Sequence, residues 1–230
     1  GTPWFNNQPD GCVYIGRSLC AYKGEMSQGT HIKVKEGTIE ICGGVFQGCT
    51  GLASIEIPNS VTSIGNNVFD GCIGLMSINV AKDNQVYASV DGVLYNKNIT
   101  TLIRCPEGKA LIEIPNSVTS IGDQAFYGCT GLTTITIPES VTSIGNGVFQ
   151  RCSSLTSVTI PNSVTSIGFN AFGFCTELMS IDVDKDNQSY TSVDGVLYDK
   201  NKTTLICCPG GKTSVEIPND VTNIGSAAFA

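Results

Sequence analysis

The stretch Ile114-Pro-Asn-Ser-Val-Thr-Ser-Ile-Gly122 decides the fold, because it returns along the chain at a fixed step. The same residues occupy 160–168, and Pro115, Pro138 and Pro161 are each 23 residues apart. A period of this size is typical of solenoid proteins, in which one short coil cannot bury its own apolar face and stacks on its neighbours. The repeat therefore predicts one elongated domain made of stacked coils.

A pair of aliphatic residues two positions apart marks a short strand in each coil. The pairs are Ile32/Val34, Ile55/Ile57, Ile78/Val80, Ile112/Ile114, Ile135/Ile137, Val158/Ile160, Ile181/Val183 and Val215/Ile217. Alternation of period two buries one face of a strand, so we predict that all of these strands form one parallel ladder. A proline usually follows the pair and ends the strand, because proline lacks a backbone donor.

The second half of the coil reads Val-Thr-x-Ile-Gly-x-x-(Ala or Val)-Phe, as it does from Val118 to Phe126. Val and Ile three positions apart, followed by Gly, predict a second short extended piece or a turn. A single helical or 3₁₀ turn then carries the phenylalanine inward. We expect one continuous spine of stacked rings, formed by Phe46, Phe69, Phe126, Phe149, Phe172 and Phe229.

The step between strand pairs lengthens twice, from 23 to 34 residues, and each longer step contains an extra element. Residues 87–95 and 190–198 share Ser-Val-Asp-Gly-Val-Leu-Tyr, and Thr-Thr-Leu-Ile follows each. Two apolar stretches around a polar turn predict a β-hairpin, with strands near Gly92 to Tyr95 and Thr101 to Ile103. A shortened third copy begins at Asp10-Gly-Cys-Val-Tyr14.

The hairpins carry tyrosines that are candidates for binding: Tyr87, Tyr95, Tyr190 and Tyr198. These rings either project from the surface to contact a ligand or pack the hairpins onto the solenoid.

The repeats also predict the domain organisation. We assign 1–34 to a divergent N-terminal hairpin or capping segment and 35–230 to the solenoid, with hairpin-bearing units near 81–114 and 184–217. The last coil stops at Phe229-Ala230, whereas the other coils continue to a Gly-Cys or similar pair. We therefore expect a chain trimmed at both ends, with any export signal or anchor outside the given sequence.

Composition argues against a nucleic-acid partner and against a transmembrane segment. The net charge is −7, and only 13 Lys and Arg residues are spread along the chain, so the basic clusters that bind nucleic acid are missing. No run approaches the roughly 20 apolar residues of a transmembrane helix. We expect no nucleic-acid partner and no transmembrane segment in this chain.

Taken together, the motifs resemble the BspA-like leucine-rich-repeat family, also called the Treponema pallidum type. The resemblance rests on 114–122 and 160–168, on Ala125-Phe-Tyr-Gly-Cys-Thr-Gly-Leu132 and on the Asp-Gly-Val-Leu-Tyr hairpins, and it covers nearly the whole chain. It implies a mainly β repeat solenoid, a right-handed leucine-rich-repeat coil with a parallel strand ladder, short 3₁₀ or helical turns and inserted β-hairpins. It also implies a secreted or surface-attached protein of host-associated bacteria or certain protozoa, often an adhesin for extracellular-matrix proteins, with no catalytic residues.

The 11 cysteines follow the repeat rather than a metal-site spacing. One equivalent place just before the ladder strand holds Cys49, Cys72, Cys129, Cys152 and Cys175. There we predict buried structural thiols that satisfy loop backbone groups. Cys12 and Cys20 would face each other across the shortened first hairpin, so a disulfide between them stays open. No Cys/His spacing typical of zinc appears.

No catalytic, metal or cofactor site can be assembled from spacing. The run Asp182-x-Asp184-x-Asp186-Asn187 resembles the start of a calcium loop but lacks its glycine and its final glutamate, so we predict a solvated turn. His31 is the only histidine and has no nucleophile partner by spacing, so we predict a surface residue.

The outward positions of the ladder strands remain as the candidate binding face. They are Ser54, Glu56, Ser77, Asn79, Glu113, Thr134, Thr136, Ser157, Thr159, Ser180, Asp182 and Glu216. We predict a non-enzymatic, secreted or cell-surface interaction protein that binds a protein or glycan ligand, such as extracellular matrix or another cell surface. The alternatives are a structural spacer or stalk that presents another domain and, with less support, a carbohydrate-related enzyme module.

Overall fold

The computed structural model describes residues 2–230, which divide into two units. Unit 1 runs up to Lys97 and includes Pro106–Gly108, while unit 2 comprises Asn98–Cys105 and Lys109–Ala230. Both units are built from short parallel strands on stacked coils, with one short helix in unit 1. The predicted mainly β solenoid is therefore confirmed, whereas the boundary at residue 34 stays a prediction.

Unit 1 contains a helix of one turn and nine strands. They are α1 (Pro3–Asn6), β1 (Gly11–Ile15), β2 (Ser18–Lys23), β3 (Thr30–Lys33), β4 (Glu40–Ile41), β5 (Leu52–Ile57), β6 (Ser63–Ile64), β7 (Ser77–Val80), β8 (Tyr87–Val90) and β9 (Val93–Asn96). Strands β3, β5 and β7 form one parallel ladder, and β2, β4 and β6 form another. The aliphatic residues align between coils, so that Ile55 lies opposite Ile78 and both are fully buried.

Unit 2 repeats this plan with longer ladders. Its strands are β10 (Thr101–Arg104), β11 (Ser120–Ile121), β12 (Thr134–Ile135), β13 (Ser143–Ile144), β14 (Ser157–Ile160), β15 (Ser166–Ile167), β16 (Ser180–Val183), β17 (Tyr190–Val193), β18 (Val196–Asp199), β19 (Thr204–Cys207) and β20 (Asn223–Ile224). Strands β12, β14 and β16 form the first parallel ladder, and β10, β11, β13 and β15 form the second. The second short extended piece predicted for each coil is thus a two-residue strand.

A third set of contacts joins the coils where the sequence predicts a helical turn. The backbone N–H of Phe126 donates to the Val148 carbonyl (2.9 Å), and that of Phe149 donates to the Ala171 carbonyl (2.7 Å). Within the coil, Cys152 N–H donates to the Phe149 carbonyl (3.0 Å), which closes a single turn. The segment is therefore a series of hydrogen-bonded turns rather than a 3₁₀ helix, because N–H groups that bond within the coil, such as that of Gln150, alternate with N–H groups that bond to the next coil.

The phenylalanines stack within each unit. In unit 2 the ring centroids of Phe126 and Phe149 lie 5.2 Å apart, and those of Phe149 and Phe172 lie 5.5 Å apart. In unit 1 Phe46 and Phe69 stack at 6.3 Å. The spine does not extend to Phe229 as predicted, because that ring is 57% exposed.

The inserted hairpins turn earlier than the sequence analysis predicts. Strands β8 and β9 pair antiparallel around Asp91-Gly92, and β17 and β18 pair in the same way around Asp194-Gly195. Both residues of each turn have positive φ, 50° and 74° at the first turn, which is the type I′ geometry that Asp-Gly favours. In unit 2, β18 also pairs antiparallel with β19, which is the pairing that the sequence predicts. The inserted element of unit 2 is therefore a three-stranded meander of β17, β18 and β19.

The ladder strand after each hairpin is missing, which corrects the prediction of a single eight-stranded ladder. Residues 112–114 and 215–217 carry the aliphatic pair but form no strand. In unit 2 the hairpin occupies the free edge of β16, where Ile181 N–H donates to the Gly195 carbonyl (2.8 Å) and Val183 N–H donates to Ser192 Oγ (3.0 Å). The backbone groups that would bind a further ladder strand are therefore already used.

A buried asparagine fixes each hairpin to the coil before it. Asn187 is fully buried, and its Nδ2 donates to the carbonyls of Pro161 (2.8 Å) and Val164 (2.9 Å). Its Oδ1 accepts the N–H groups of Ser189 and Tyr190, both at 2.8 Å. Asn84 makes the equivalent bonds in unit 1. All the polar capacity of this side chain is thus used to hold the start of the hairpin.

Candidate functional site

The outward side chains of the first ladder form one polar surface in each unit. The unit 1 ladder face consists of His31, Lys33, Ser54, Glu56, Ser77 and Asn79, on β3, β5 and β7. The unit 2 ladder face consists of Thr134, Thr136, Ser157, Thr159, Ser180 and Asp182. Every one of these residues is exposed or half-buried, because it alternates with an aliphatic residue that points into the core.

Side chains on the unit 1 ladder face contact each other across the strands. His31 Nδ1 lies 2.6 Å from Ser54 Oγ, and Lys33 Nζ lies 3.9 Å from Glu56 Oε2. The ion pair is solvated, with both side chains more than half exposed, so it contributes little to stability. Both groups are therefore available to a ligand. The sequence analysis left His31 and Lys33 out of the binding face, although their place opposite Ser54 and Glu56 follows from the register.

A groove of about 350 Å³ lies at the carboxyl ends of these strands. Its lining includes the charged side chains of Lys33, Glu36 and Glu56 around the apolar Ile57 and Val80. Because its lining has both charged and apolar groups, the groove can take a ligand with both kinds of surface.

The unit 2 ladder face is a row of small hydroxyl groups with one carboxylate. The register places Ser157 opposite Ser180 and Thr159 opposite Asp182. Ser180 Oγ donates to Asp182 Oδ1 (2.6 Å), which orients that carboxylate along its strand. Thr134, Thr136, Ser157 and Thr159 are exposed.

Thr136 directly follows β12, and the remaining two candidates of the binding face lie in other segments. Glu113 and Glu216 are exposed residues of the segments that follow each hairpin. Glu216 lines a groove of about 600 Å³ in unit 2, together with Asp194 of the hairpin turn and Pro218. Asp194 forms an ion pair with Lys212, with Asp194 Oδ2 and Lys212 Nζ 2.9 Å apart. This groove combines two carboxylates with one neighbouring ammonium group.

The hairpin tyrosines have packing roles. Tyr95 and Tyr198 are fully buried, and Tyr198 packs with Leu205 and Ala228 in the core of unit 2. Tyr87 and Tyr190 are half-buried, and the hydroxyl of Tyr190 accepts the Ile167 N–H at 2.9 Å. The alternative in which these rings fix the hairpins to the coils therefore accounts for their geometry, and no ligand contact is left for Tyr95 or Tyr198.

The repeat cysteines hydrogen-bond to the coil before them. Cys152 Sγ donates to the Phe126 carbonyl (3.1 Å), and Cys175 Sγ donates to the Phe149 carbonyl (2.9 Å). Burial raises the pKa of both thiols, that of Cys175 to about 12, so they stay protonated donors at neutral pH. These side chains satisfy backbone carbonyls, which is the structural role predicted for them, whereas Cys49, predicted to be buried in the same way, is half-buried.

The first hairpin does not bring Cys12 and Cys20 together. Cys12 pairs with Tyr22 in the register of β1 and β2, and the pairing shifts between Val13 and Tyr14, which leaves Cys20 outside the paired register. A β-bulge of this kind turns a side chain away from the position that simple alternation predicts. Both cysteines are thiols, and the bridge between them that the sequence left open is not formed.

The acidic run after β16 is occupied by internal contacts. Asp184 Oδ1 accepts the Asp186 N–H (2.8 Å), and Lys185 Nζ pairs with Asp186 Oδ2 at 2.8 Å. Asn187 is buried in the hairpin anchor described above. Within residues 2–230, no three His, Cys, Asp or Glu side chains cluster closely enough to hold a metal ion.

Unit 2 also presents a row of arginines and aromatic rings on the turn side, which the sequence analysis missed. The guanidinium carbons of Arg104 and Arg151 each lie 5.9 Å from the Tyr127 ring centroid, and Arg151 lies 5.8 Å from that of Phe174. These distances allow cation–π attraction. Arg151 and Phe174 occupy equivalent positions, 23 residues apart, but the coil before them has Gly128 there, so the repeat template gives no signal for the row.

Comparison with protein families gives one match, and it covers most of the chain. The sequence profile described as "BspA type Leucine rich repeat region (6 copies)" matches residues 15–108 and 105–202. No curated protein matches the chain with significance.

Several solved structures are similar to this chain. A leucine-rich repeat protein from Eubacterium ventriosum is 29% identical with a TM-score of 0.64, covering 85% of this chain and 48% of its own. The pneumococcal vaccine antigen PcpA is 25% identical with a TM-score of 0.55, covering 92% of this chain and 54% of its own. A leucine-rich cell surface protein from Faecalibacterium prausnitzii is 26% identical with a TM-score of 0.55, covering 97% of this chain and 74% of its own. The chain thus spans about half the length of the first two proteins.

Across residues 2–230, no helix has the length and apolar character needed to cross a bilayer.

Proposed function

Since this chain belongs to the BspA-type leucine-rich repeat family, we propose that it is a non-enzymatic interaction protein whose ladder faces bind a protein or glycan ligand. The observation that carries the proposal is the repetition of exposed polar groups on buried, rigid strands. The register aligns Ser54 with Ser77 in unit 1 and Ser157 with Ser180 in unit 2. Neighbouring strands lie about 4.8 Å apart, so each face offers equivalent groups at a constant spacing.

Repetition suits a ligand that is itself extended. A single hydroxyl or carboxylate contributes a weak contact, but several contacts at fixed spacing act together because the strands hold them in place. Extended polypeptides and polysaccharides present such evenly spaced polar groups. The small side chains of the unit 2 ladder face leave room for a ligand backbone to approach closely.

We further propose an adhesin-like role outside the bacterial cell, on extracellular matrix or on another cell surface. Support comes from similar structures described as a cell surface protein and as a vaccine antigen. A secreted or surface-attached product of a host-associated bacterium fits that role. The competing function is a spacer, in which the ladder faces contact only water.

Binding to defined surfaces separates the two functions. The purified chain is tested against immobilised collagen, immobilised laminin and a glycan array, and the surface that retains it is used for the variants. Thr159→Lys places a long charged side chain in the middle of the unit 2 ladder face. Thr165→Lys is the matched control, because Thr165 is exposed but lies on the loop before β15. The equivalent change in unit 1 is Glu56→Lys.

We expect at least one of Thr159→Lys and Glu56→Lys to weaken binding about tenfold, or roughly 1.4 kcal/mol, while Thr165→Lys stays within twofold of the parent chain. Unchanged melting temperatures show that the variants remain folded. Equal binding by all variants would exclude the ladder faces as the binding surface. Failure of the parent chain to bind any of the surfaces would favour the spacer.

A further inference from the structure

Two cysteine sulfurs in unit 1 lie in direct contact. Cys20 is on β2, and Cys42 directly follows β4. The parallel register of these strands pairs Leu19 with Ile41, and Cys42 N–H donates to the Leu19 carbonyl at 2.9 Å. Cys20 and Cys42 therefore occupy the next rung of the ladder, and their Sγ atoms are 3.4 Å apart.

These two thiols differ from the structural thiols of the repeat. Cys152 and Cys175 are buried, and each donates to a phenylalanine carbonyl in the preceding coil. Cys20 and Cys42 are half-buried, and the strongest contact of the Cys42 thiol is the Cys20 sulfur itself. Cys20 Sγ donates at 3.5 Å to the Ser18 carbonyl of its own strand, so bonding to a carbonyl of the preceding coil does not explain this pair.

The backbone geometry suits a covalent bond between them. Neighbouring strands lie about 4.8 Å apart, within the range of about 4.4–6.8 Å that the Cα atoms of a disulfide span. The sulfurs need to approach by only about 1.4 Å to reach the bonded distance of about 2.05 Å. Side-chain rotation supplies a movement of that size without a shift of the strands.

We propose that Cys20 and Cys42 form a disulfide that joins the first hairpin to the first repeat coil when the protein meets a disulfide-containing oxidant. The oxidant is either a low-molecular-weight disulfide such as glutathione disulfide or the disulfide of a thiol oxidoreductase. The bond closes the loop between β2 and β4, which contains the ladder strand β3.

The reaction proceeds by two thiol–disulfide exchanges. The Cys20 thiolate attacks one sulfur of the oxidant, the oxidant S–S bond breaks, and one oxidant thiolate leaves. The Cys42 thiolate then attacks the Cys20 sulfur of the mixed disulfide and expels the second oxidant thiolate. The two protein thiols lose two electrons and two protons, and the oxidant is reduced to two thiols.

The contacts favour Cys20 as the first nucleophile. Cys42 Sγ donates to Cys20 Sγ, so Cys42 is the donor and Cys20 the acceptor of the pair. Burial, together with the hydrogen bond to Cys20, raises the pKa of Cys42 to about 11, and the nearby Glu40 carboxylate acts in the same direction. Cys42 therefore acts second, once Cys20 is a mixed disulfide and no longer competes for the proton.

Peptide mapping tests the bond without any ligand. The folded full chain is incubated with glutathione disulfide, quenched with acid, blocked with N-ethylmaleimide and digested with trypsin. Cys20 lies alone in the fragment 18–23, and Cys42 lies in the fragment 36–82 with Cys49 and Cys72. We expect these two fragments to be linked, with the loss of two hydrogen atoms, at least about tenfold more than any other pair, because sulfur contact raises the effective concentration.

Single variants identify the sulfurs. Cys20→Ser and Cys42→Ser are expected to abolish the link, whereas Cys49→Ser, in the same tryptic fragment as Cys42, and Cys12→Ser keep it. Oxidation in strong denaturant is expected to lose the preference, because the folded strands create it. A link from Cys20 to Cys12 or Cys49, or full alkylation of both Cys20 and Cys42 in the folded chain, would overturn the proposal. Either result leaves the binding role of the ladder faces untouched.

Discussion

Replacing Phe149 by alanine tests the idea that stacked rings hold the coils of unit 2 together. The Phe149 side chain is fully buried, between Phe126 at 5.2 Å and Phe172 at 5.5 Å. Returning such a ring to water costs about 1.5–3 kcal/mol, and each lost ring pair adds about 0.5–1.5 kcal/mol. We therefore expect Phe149→Ala to lower the free energy of unfolding by about 3–5 kcal/mol, as in other Phe-to-Ala core changes.

Urea denaturation followed by circular dichroism measures this loss. Phe174→Ala is the matched control in the same unit, because its ring is 53% exposed, and we expect a change below about 1 kcal/mol. Hydrogen exchange adds spatial information, since coils that couple to their neighbours should lose protection together. The amides of Phe126 and Phe149, which bond to the next coil, are expected to exchange faster. Similar small losses in both variants, with exchange unchanged at these amides, would show that ring stacking does not hold the coils.

Three further changes test the hairpin and the buried thiols. Gly195→Ala adds a Cβ 2.8 Å from Ser180 Oγ at a residue with φ of +72°, so the free energy of unfolding should fall by roughly 1–3 kcal/mol. Gly131→Ala is the control in the same urea assay, because the added Cβ would lie 3.7 Å from its nearest neighbour outside the adjacent residues. Asn187→Ala removes the partner of four backbone groups and should lower unfolding free energy by about 3 kcal/mol; a loss below about 1 kcal/mol would contradict its anchoring role. Burial raises the Cys175 pKa from 9.0 to about 12, so the unfolded chain loses this proton first and stability falls as pH rises from about 9 towards 12. Urea titrations at a series of alkaline pH values should show a shallower decline of the unfolding free energy with pH for Cys175→Ala than for the parent chain. An equal slope in both would refute the raised Cys175 pKa.

The coil itself could be predicted from sequence because burial follows its period. Alternating aliphatics placed Ile55, Ile78 and Val158 correctly in the core of ladder strands. The stacking of Phe46 on Phe69 and of Phe126, Phe149 and Phe172 on one another was also predicted correctly, since a coil of constant length brings the same position into contact with its copy. Contacts that depend only on the distance between repeat copies can therefore be predicted from the sequence.

Features that break the period were harder to predict. The hairpin was placed around the polar segment after Tyr95, although the Asp91-Gly92 pair directly encodes a two-residue turn. The sequence offers two possible turns, the Asp91-Gly92 pair and the longer polar segment after Tyr95, and the longer segment was chosen. The missing ladder strand at 215–217 results from the equivalent hairpin of unit 2, because its Asp194-Gly195 turn occupies the edge of β16.

The candidate site was predicted in part. The outward ladder positions such as Thr159 are exposed, as alternation requires. The tyrosine positions did not reveal that Tyr198 is buried, because a hairpin can face either way. Cys20 contacts Cys42 of the next coil, not Cys12 across its own hairpin. The bulge that moves Cys20 out of the hairpin register cannot be seen in the sequence, so Cys12 was the partner considered.

On the proposed binding role, the hairpin turns limit the length of ligand that each ladder face contacts. Each first ladder has three strands, and Gly92 and Gly195 bond to the N–H groups of Ile78 and Ile181 at its edge. With strands about 4.8 Å apart, three strands extend over about 10 Å, which is about three residues of an extended peptide laid across them. The proposed binding role therefore implies that a longer ligand segment needs more coils between hairpins, so that hairpin spacing along the chain would set the length of the segment contacted.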